Sequence, residues 1–386
     1  MPALATNEHC TGCTACASVC PKGCITMTAD ENGFLYPTVD TEKCVSCGLC
    51  EKSCPIVNPP RQASHEPLTY AAYSKDEPMR LDSSSGGVFT ELARTVLCSG
   101  GVVYGAAYNE RFEVMHICAE DESGLAGLRG AKYAQSNLCG IFAQIRQRLD
   151  DGITVLFSGT PCQVAGLKQF LHREYPNLIV VDFVCHGVPS PMTWNRYLQY
   201  RADRDNRGAL PTVVNLRSKE TGWSRYRYSN VFEYGSGNRN VASSHESLYM
   251  KLFVGDYINR RSCADCRFKG YTRCSDLTIG DFWGIWDTRP GMDDNKGTSV
   301  VLIQSQKGAV LFDRIKNHCV TQPVSLEETS TQNPSMLKSS PSNADRESVL
   351  KLVREGDFEQ CQKLFQSSQT SLPKKLLRKF KSWFLR

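Results

Sequence analysis

The chain has no run approaching eighteen consecutive apolar residues, which excludes a membrane-spanning helix by hydropathy. Its first residues, Met1 to His9, lack the basic stretch and apolar core of a secretory signal. No G-x-G-x-x-G follows the early strands, which counts against a Rossmann nicotinamide site. Net charge is also scarce. It is +5 over 386 residues, and subtracting the six basic residues of Pro373–Arg386, a tail without acids, leaves the rest at −1. A body with that balance is not expected to bind nucleic acid. These absences predict a cytoplasmic protein.

Cysteine, by contrast, is abundant, at nineteen residues. An odd number grouped at short spacings argues for a reducing compartment and against a secreted disulfide framework. Cys10, Cys13, Cys16 and Cys20 before Pro21, then Cys44, Cys47, Cys50 and Cys54 before Pro55, repeat one pattern, C-x2-C-x2-C-x3-C-P. It is the one internal repeat in the sequence. In the bacterial ferredoxin run of this form three thiolates bind one [4Fe–4S] cluster and the fourth reaches across to the other. On that rule Cys10, Cys13, Cys16 and Cys54 hold one cluster, and Cys44, Cys47, Cys50 and Cys20 hold the second. Two-residue gaps let a tight loop supply three corners of a cubane while backbone N–H groups point at the sulfurs. The proline then turns the chain away. Zinc also takes C-x2-C pairs, but it closes with four ligands and has no use for a third cysteine at the same spacing, repeated. Cys24 fits neither run and reads as a small buried hydrophobe. The chain therefore moves electrons.

The length allows more than one domain, and 41% hydrophobic content is ordinary for a soluble core. The expected fold is an α+β ferredoxin-like module followed by an α/β domain with a mostly parallel sheet. The module occupies 1–58, a Pro-rich linker 59–68, the α/β domain 69–320, a loosely packed segment with a helix 321–372, and a basic amphipathic tail 373–386. The α/β reading rests on short β-branched or aromatic runs alternating with amphipathic stretches. Strands are expected near Tyr70–Tyr73, Val102–Tyr108, Thr154–Phe157, Leu178–Val184, Val213–Leu216, Leu277–Gly280 and Val300–Gln304. Helices fit Val88–Leu97, Leu138–Leu149, Cys162–Tyr175, Met192–Arg201, Ala309–Asn317 and Ser348–Phe365. In the tail, Leu376, Leu377, Phe380, Trp383 and Phe384 form a stripe beside the basic residues, the pattern of a helix lying in a membrane interface at the inner face. The alternative is a terminal helix docked on the protein's own core or frayed.

Ser83-Ser84-Ser85-Gly86-Gly87 opens the helix at Val88, and Ser158-Gly159-Thr160-Pro161-Cys162-Gln163 lies between a strand and the next helix. Small residues at a helix N-terminus let backbone N–H groups approach a phosphate, although a serine cap with glycines starts many helices. At the carboxyl ends of strands, two such turns could line one cofactor crevice. Cys263, Cys266 and Cys274 supply three further ligand candidates, and Cys162 or Cys185, each just after a strand, is expected to complete a third four-cysteine site. Zinc, or no metal at all, is the alternative there. His186 and Asp281 fall at the same edge, where they could move protons.

Five segments carry a resemblance: SSSGGVFTELA (Ser83–Ala93), GAKYAQS (Gly130–Ser136), LFSGTPCQVAGLKQFL (Leu156–Leu171), VDFVCHGVPSP (Val181–Pro191) and CADCRFKGYTRCSDLTIGDFWGIW (Cys263–Trp286). In this order they are similar to the coenzyme F-420 hydrogenase/dehydrogenase beta-subunit family, from about Thr69 to Cys319, with the ferredoxin module in front as in longer members. The resemblance implies a flavoprotein with FAD in the α/β domain, fed by iron–sulfur clusters. Ser84, Ser85, Gly86, Gly87, Lys132, Gly159, Thr160 and Gln163 are then expected near FAD. Cys263, Cys266 and Cys274, with Cys162 or Cys185, are expected to hold a proximal cluster. The expected function is a ferredoxin-linked oxidoreductase passing electrons through FAD to or from a small organic substrate, a deazaflavin or an unsaturated or carbonyl metabolite. Lys132 would stabilise negative charge, and His186 or Asp281 would supply a proton. Ferredoxin or another redox protein is the expected partner. The alternative is a non-catalytic electron-transfer subunit of a larger redox complex. The ligand crossover predicts that Cys20→Ala damages the cluster of Cys44, Cys47 and Cys50, not the one nearest in sequence. Iron quantification and electron paramagnetic resonance would read this; equal loss from both clusters would contradict it.

Overall fold

The computed structural model describes residues 2–224 and 227–370, so the basic tail at 373–386 lies outside the described residues. The N-terminal module holds two short helices, Ala15–Val19 and Leu49–Lys52, and an antiparallel hairpin pairing Ile25–Ala29 with Leu35–Val39. The hairpin turn is closed by Asp30, whose carboxylate accepts from the backbone N–H of Asn32 and Phe34 at 2.9 Å each. The duplicated sequence is also a duplicated backbone. Gly12 and Ser46 take left-handed φ of 68° and 52° at matched positions, and Thr14 and Gly48 take 66° and 73°. These reversals curl each loop so that its three cysteines face one side.

The remainder is a mixed α/β domain around an eight-stranded sheet. In spatial order its strands are Cys319–Pro323, Leu68–Ser74, Ser299–Ile303, Leu277–Asp281, Leu178–Phe183, Val155–Gly159, Val102–Tyr108 and Val114–Ala119. Only the three pairings that join Leu277–Asp281, Leu178–Phe183, Val155–Gly159 and Val102–Tyr108 are parallel. The four others are antiparallel, so the expectation of a mostly parallel sheet is corrected to a mixed one. The physical reason is local. Val114–Ala119 returns directly onto Val102–Tyr108 as a hairpin, and antiparallel neighbours need no helical crossover. That strand and Cys319–Pro323 were not expected from the sequence. Val213–Ser218 leaves the main sheet and joins Ser229–Glu233 and Arg239–Ser243 in a three-stranded one.

Helices cover both faces of the sheet. Val88–Cys98 and Gln306–Ile315 bury Leu92, Val96, Leu311 and Phe312 against Val103, Leu156, Val181 and Val301. On the other face Ile141–Asp150 and Pro161–Leu171 bury Phe142, Ile145, Val164 and Phe170 against Val155, Phe157 and Val180. The expected helix Ser348–Phe365 is two helices, Arg346–Glu355 and Phe358–Thr370, because Gly356 ends the first with a left-handed φ of 79°. The segment after Thr321 is better packed than expected, since Thr329, Asn333, Met336, Val349 and Leu350 are buried.

The N-terminal module is not a tethered bead. Cys13 and Ala15 belong to the same core as Phe142 and Leu167. A Cβ added at Gly166, in the middle of Pro161–Leu171, would come within 2.8 Å of the Cys13 Cβ. Gly166→Val should therefore push the module off its seat at a cost of about 1–3 kcal/mol. Faster proteolytic cleavage within 59–68 and a lower Tm are the expected outcomes; unchanged cleavage would refute the close approach.

Candidate functional site

The cysteines sort into groups that cross the sequence. Cys10, Cys13, Cys16 and Cys54 line one small apolar pocket together with Met27 and Pro37. Thus Cys54, from the second motif, stands with the first three of the first motif, and Cys16 interacts electrostatically with both Cys10 and Cys54. In the other group, the Cys20 Sγ lies 3.3 Å from the Cys24 Sγ, Cys24 interacts with Cys44, and Cys50 interacts with Cys47. Cys24 is buried, as expected, but against the second group. Among the described residues, no group of His, Cys, Asp and Glu closes on a single metal ion. Burial pushes Cys16 up to about 12, so a cationic iron centre is the partner that would hold such thiols ionised. The residues present fit a pair of cubanes.

A further group of thiols forms in the α/β domain. Cys162 interacts with Cys185 and Cys266. Cys185 interacts with Cys263 and Cys266, and Cys263 with Cys162 and Cys266. Burial raises Cys162, Cys185 and Cys263 to about 12 each. Both Cys162 and Cys185 therefore join Cys263 and Cys266, where the sequence had offered them as alternatives. Cys274 sits in the helix-side core with Cys13; burial raises it to about 12, the Asp182 carboxylate opposes its thiolate, and Lys168 and Arg273 favour it. Cys13 of the N-terminal module interacts with Cys162, so the first and third groups are neighbours across the domain boundary.

The parallel strands deliver these residues. Val155–Gly159 ends at Thr160, Leu178–Phe183 leads into Cys185 and His186, and Leu277–Asp281 ends on Asp281. Their carboxyl ends open onto a cavity of about 1120 Å³ that reaches Ser84, Ser85, Gly87, Lys132, Gly159, Thr160 and Gln163. That volume exceeds the ~300–1000 Å³ common for drug-sized ligands and suits a dinucleotide. Buried nitrogens without hydrogen-bond partners, Nδ1 of His116 and Nε of Arg129 and Arg217, belong to residues of its wall. An unmade bond of that kind costs ~1–3 kcal/mol, which a polar ligand can recover. The site fits FAD by size and by polar demand.

Individual residues differ in what they offer. Gly86 is a packing glycine, not a cavity residue: a Cβ there would meet the Ala72 carbonyl at 2.5 Å, and its N–H donates to the Ser299 Oγ at 3.0 Å. Thr160 and Gln163 form a reciprocal capping box at the start of Pro161–Leu171, which fixes the turn carrying Cys162. Lys132 is buried, and its Nζ donates to the Gly127 carbonyl at 3.1 Å and the Arg129 carbonyl at 2.5 Å. Burial pushes it down to about 7. Asp281 is engaged by Arg217 at 3.0 Å, which makes it an anchor for that guanidinium more than a free acid. His186 is better placed for proton work, because its Nε2 lies 2.9 Å from Asp256 Oδ1 and its Nδ1 3.1 Å from the Ser340 Oγ. Sequence reasoning missed Arg217, Asp256 and His116. No local motif marks them; only their place on the cavity wall does.

Comparisons with known proteins match two regions of the chain. Residues 9–57 match the 4Fe-4S dicluster domain, and residues 153–328 match the family described as the C terminus of the coenzyme F420 hydrogenase/dehydrogenase beta subunit. A stretch of 193 residues is 25% identical to the F subunit of the F(420)H(2) dehydrogenase of Methanosarcina mazei, covering 46% of this chain and 54% of that protein. A stretch of 49 residues is 47% identical to an uncharacterized ferredoxin of Methanocaldococcus jannaschii, covering 13% of this chain and 62% of the ferredoxin. The matched stretches thus span little more than half the length of these curated relatives. A solved chain of the F420-reducing [NiFe] hydrogenase complex from Methanosarcina barkeri superposes with a TM-score of 0.47 at 16% identity, over 79% of this chain and 93% of that one. Residues 153–328 are thus similar to the C-terminal part of the coenzyme F420 hydrogenase/dehydrogenase beta subunit, and a 4Fe-4S dicluster domain carrying the eight motif cysteines stands in front of them.

Proposed function

We propose that this iron–sulfur oxidoreductase passes electrons from its N-terminal clusters, through a third [4Fe–4S] cluster held by Cys162, Cys185, Cys263 and Cys266, to FAD in the 1120 Å³ cavity, and on to a small organic two-electron substrate. The observation that carries the proposal is contiguity. Cys13 packs on Gly166, one helical turn beyond Cys162, Cys162 feels the charge of Cys185, and Cys185 is itself part of the cavity wall. FAD would supply the exchange between one-electron and two-electron transfer.

The chain's own groups have distinct tasks in this reading. The turns at Ser84–Gly87 and Gly159–Thr160 present small residues to a ligand backbone. Arg217, held by Asp281 and stacked on Tyr228 at 4.1 Å, offers a fixed positive charge to a phosphate or carboxylate. Lys132 gains a proton, and a charge, when an anion arrives beside it. His186, oriented by Asp256, holds or moves the proton that accompanies electron transfer. The mazei relative acts on F(420)H(2) by its name, and a deazaflavin is accordingly the first substrate to test. A second reading, a non-catalytic electron-transfer subunit within a larger redox complex, draws on that same relative being a named subunit.

Anaerobic purification should yield about twelve iron and twelve sulfide with about one flavin per chain, as three cubanes and FAD require. Eight iron without flavin would overturn the third cluster and the flavin together. Reoxidation by a deazaflavin, quinones or unsaturated metabolites then separates the readings, since a subunit without its own substrate passes electrons only when a partner protein is added.

Lys132 gives a pH signature. A lysine pushed down to about 7 by burial penalises the folded state fully below pH 7. The penalty is relieved as pH rises towards the ordinary lysine value of ~10.4, so its contribution to stability rises over that window. In flavin-depleted protein, Lys132→Met should remove this rise, which approaches ~1.4 kcal/mol per pH unit. Denaturant unfolding of both chains at pH 7 and pH 9 measures it; an unchanged difference between the two chains would rule out a buried neutral lysine.

A further inference from the structure

Arg260 is one of the most deeply buried side chains among the described residues, at 1% exposure, and its side-chain hydrogen bonds among them go to neutral oxygens only. Its Nε donates to the Cys10 carbonyl at 2.7 Å, its Nη1 to Gln135 Oε1 at 3.0 Å and its Nη2 to the Leu35 carbonyl at 2.8 Å. The guanidinium lies over the Tyr36 ring at 4.3 Å and within 5.5 Å of the Phe34 ring. Two of these oxygens and both rings come from the N-terminal module, while Gln135 and Arg260 itself come from the α/β domain. The cysteine loop closes tightly on this cation: a Cβ at Gly12 would meet Gln135 Nε2 at 2.7 Å and Arg260 Nη1 at 2.8 Å.

A buried cation with only neutral partners is costly, because dipoles recover part of the lost hydration but no opposite charge offsets the rest. The opposite charge is close at hand on both sides. The side chain grips the backbone of Cys10 in the first thiol group. Its main-chain carbonyl accepts from the Cys263 N–H at 3.0 Å. Its charge favours the ionised forms of both Cys162 and Cys263 in the third group. Lys269 and Arg273 act on that third group as well, but through Cys185 on its other side. Of these three cations, Arg260 is the one hydrogen-bonded to the backbone of the Cys10–Cys16 loop.

We propose that Arg260 is a positioning and tuning residue shared by two iron–sulfur centres, its fixed positive charge raising the reduction potential of both and its fork holding the two modules together. The second half rests on the third-cluster reading above; the first half does not, since the Cys10 group stands independently of it. The physics is simple. Each one-electron reduction adds a negative charge to a centre in a dry interface, where a fixed cation interacts more strongly than in water. Because a guanidinium keeps its proton, the electron is accompanied by no proton from this residue.

Redox titration of the anaerobic, cluster-loaded protein, followed by electron paramagnetic resonance, tests this. Arg260→Gln should lower the midpoint potentials of the Cys10 centre and the third centre by about 59 mV each, a tenfold change in the reduced-to-oxidised ratio for one electron. The centre of Cys20, Cys44, Cys47 and Cys50 should stay in place, and Arg260→Lys should keep all potentials near wild type. Gln135→Glu, which leaves Arg260 intact but sets a carboxylate against it, should lower the same two potentials and covers the case in which Arg260→Gln fails to fold. Unmoved potentials in Gln135→Glu, an equal shift of all centres, or equal shifts in the Lys and Gln variants would each overturn the proposal. If the wild-type protein holds only two cubanes, the third-cluster reading fails while the shift of the Cys10 centre still decides the role of Arg260.

Discussion

The seat of the Cys10–Cys16 loop on the helix Pro161–Leu171 underlies every other relation between thiols and cavity. Gly166 leaves room for the Cys13 side chain, Ala15 and Cys13 are buried in the core of the α/β domain, and Gly12 lets the loop close over Arg260. Electron transfer needs centres that stand close together in a fixed geometry, and close packing between modules is what supplies it. The same helix begins with the turn that carries Cys162. One element therefore meets the first thiol group with its middle and contributes to the third with its start.

The sheet adds direction. Its four mutually parallel strands all point their carboxyl ends at one side, the side where open α/β sheets bind ligands. The connections there carry the thiols Cys162 and Cys185, the acid-base candidate His186, and the Asp281 that holds Arg217. The antiparallel outer strands close the edges and contribute Ser299 against the Ser83–Gly87 turn. The N-terminal module packs along the helix Pro161–Leu171, with Cys13 against Gly166 and Ser53 against His172 at the helix's C-terminal end.

Much of this was legible from local spacing, and the failures have a common cause. The two ferredoxin runs, the glycine-bearing turns and most helices could be read because short-range rules govern them: loop curvature, capping and the period of apolar residues. The membership of the third thiol group could not. Cys274 follows Cys263 and Cys266 within one short stretch, yet the chain carries it into the helix-side core beside Asp182, while Cys162 and Cys185 arrive from the ends of two different strands. The mixed sheet was misread for the same reason, since an alternating strand and helix pattern does not reveal which strands pair or in which sense. Gly86 looked like a phosphate-binding glycine and is a packing one, because its neighbour Ser299 comes from more than two hundred residues away.

Residue order alone set the chemistry of the N-terminal module, because ligand spacing within a single loop leaves an iron–sulfur cubane little freedom in how it is gripped. It also marked two turns rich in small residues, at Ser83–Gly87 and Ser158–Thr160, which line the cavity, although a helix at Glu77–Asp82 and not a strand leads into the first. Three outcomes waited on the folded arrangement: which distant cysteines meet, that the carboxylate of Asp281 is engaged by Arg217, and that the Arg260 guanidinium lies between two thiol groups. They follow from packing between elements remote in the chain, whose energy depends on shape and burial that no local pattern encodes.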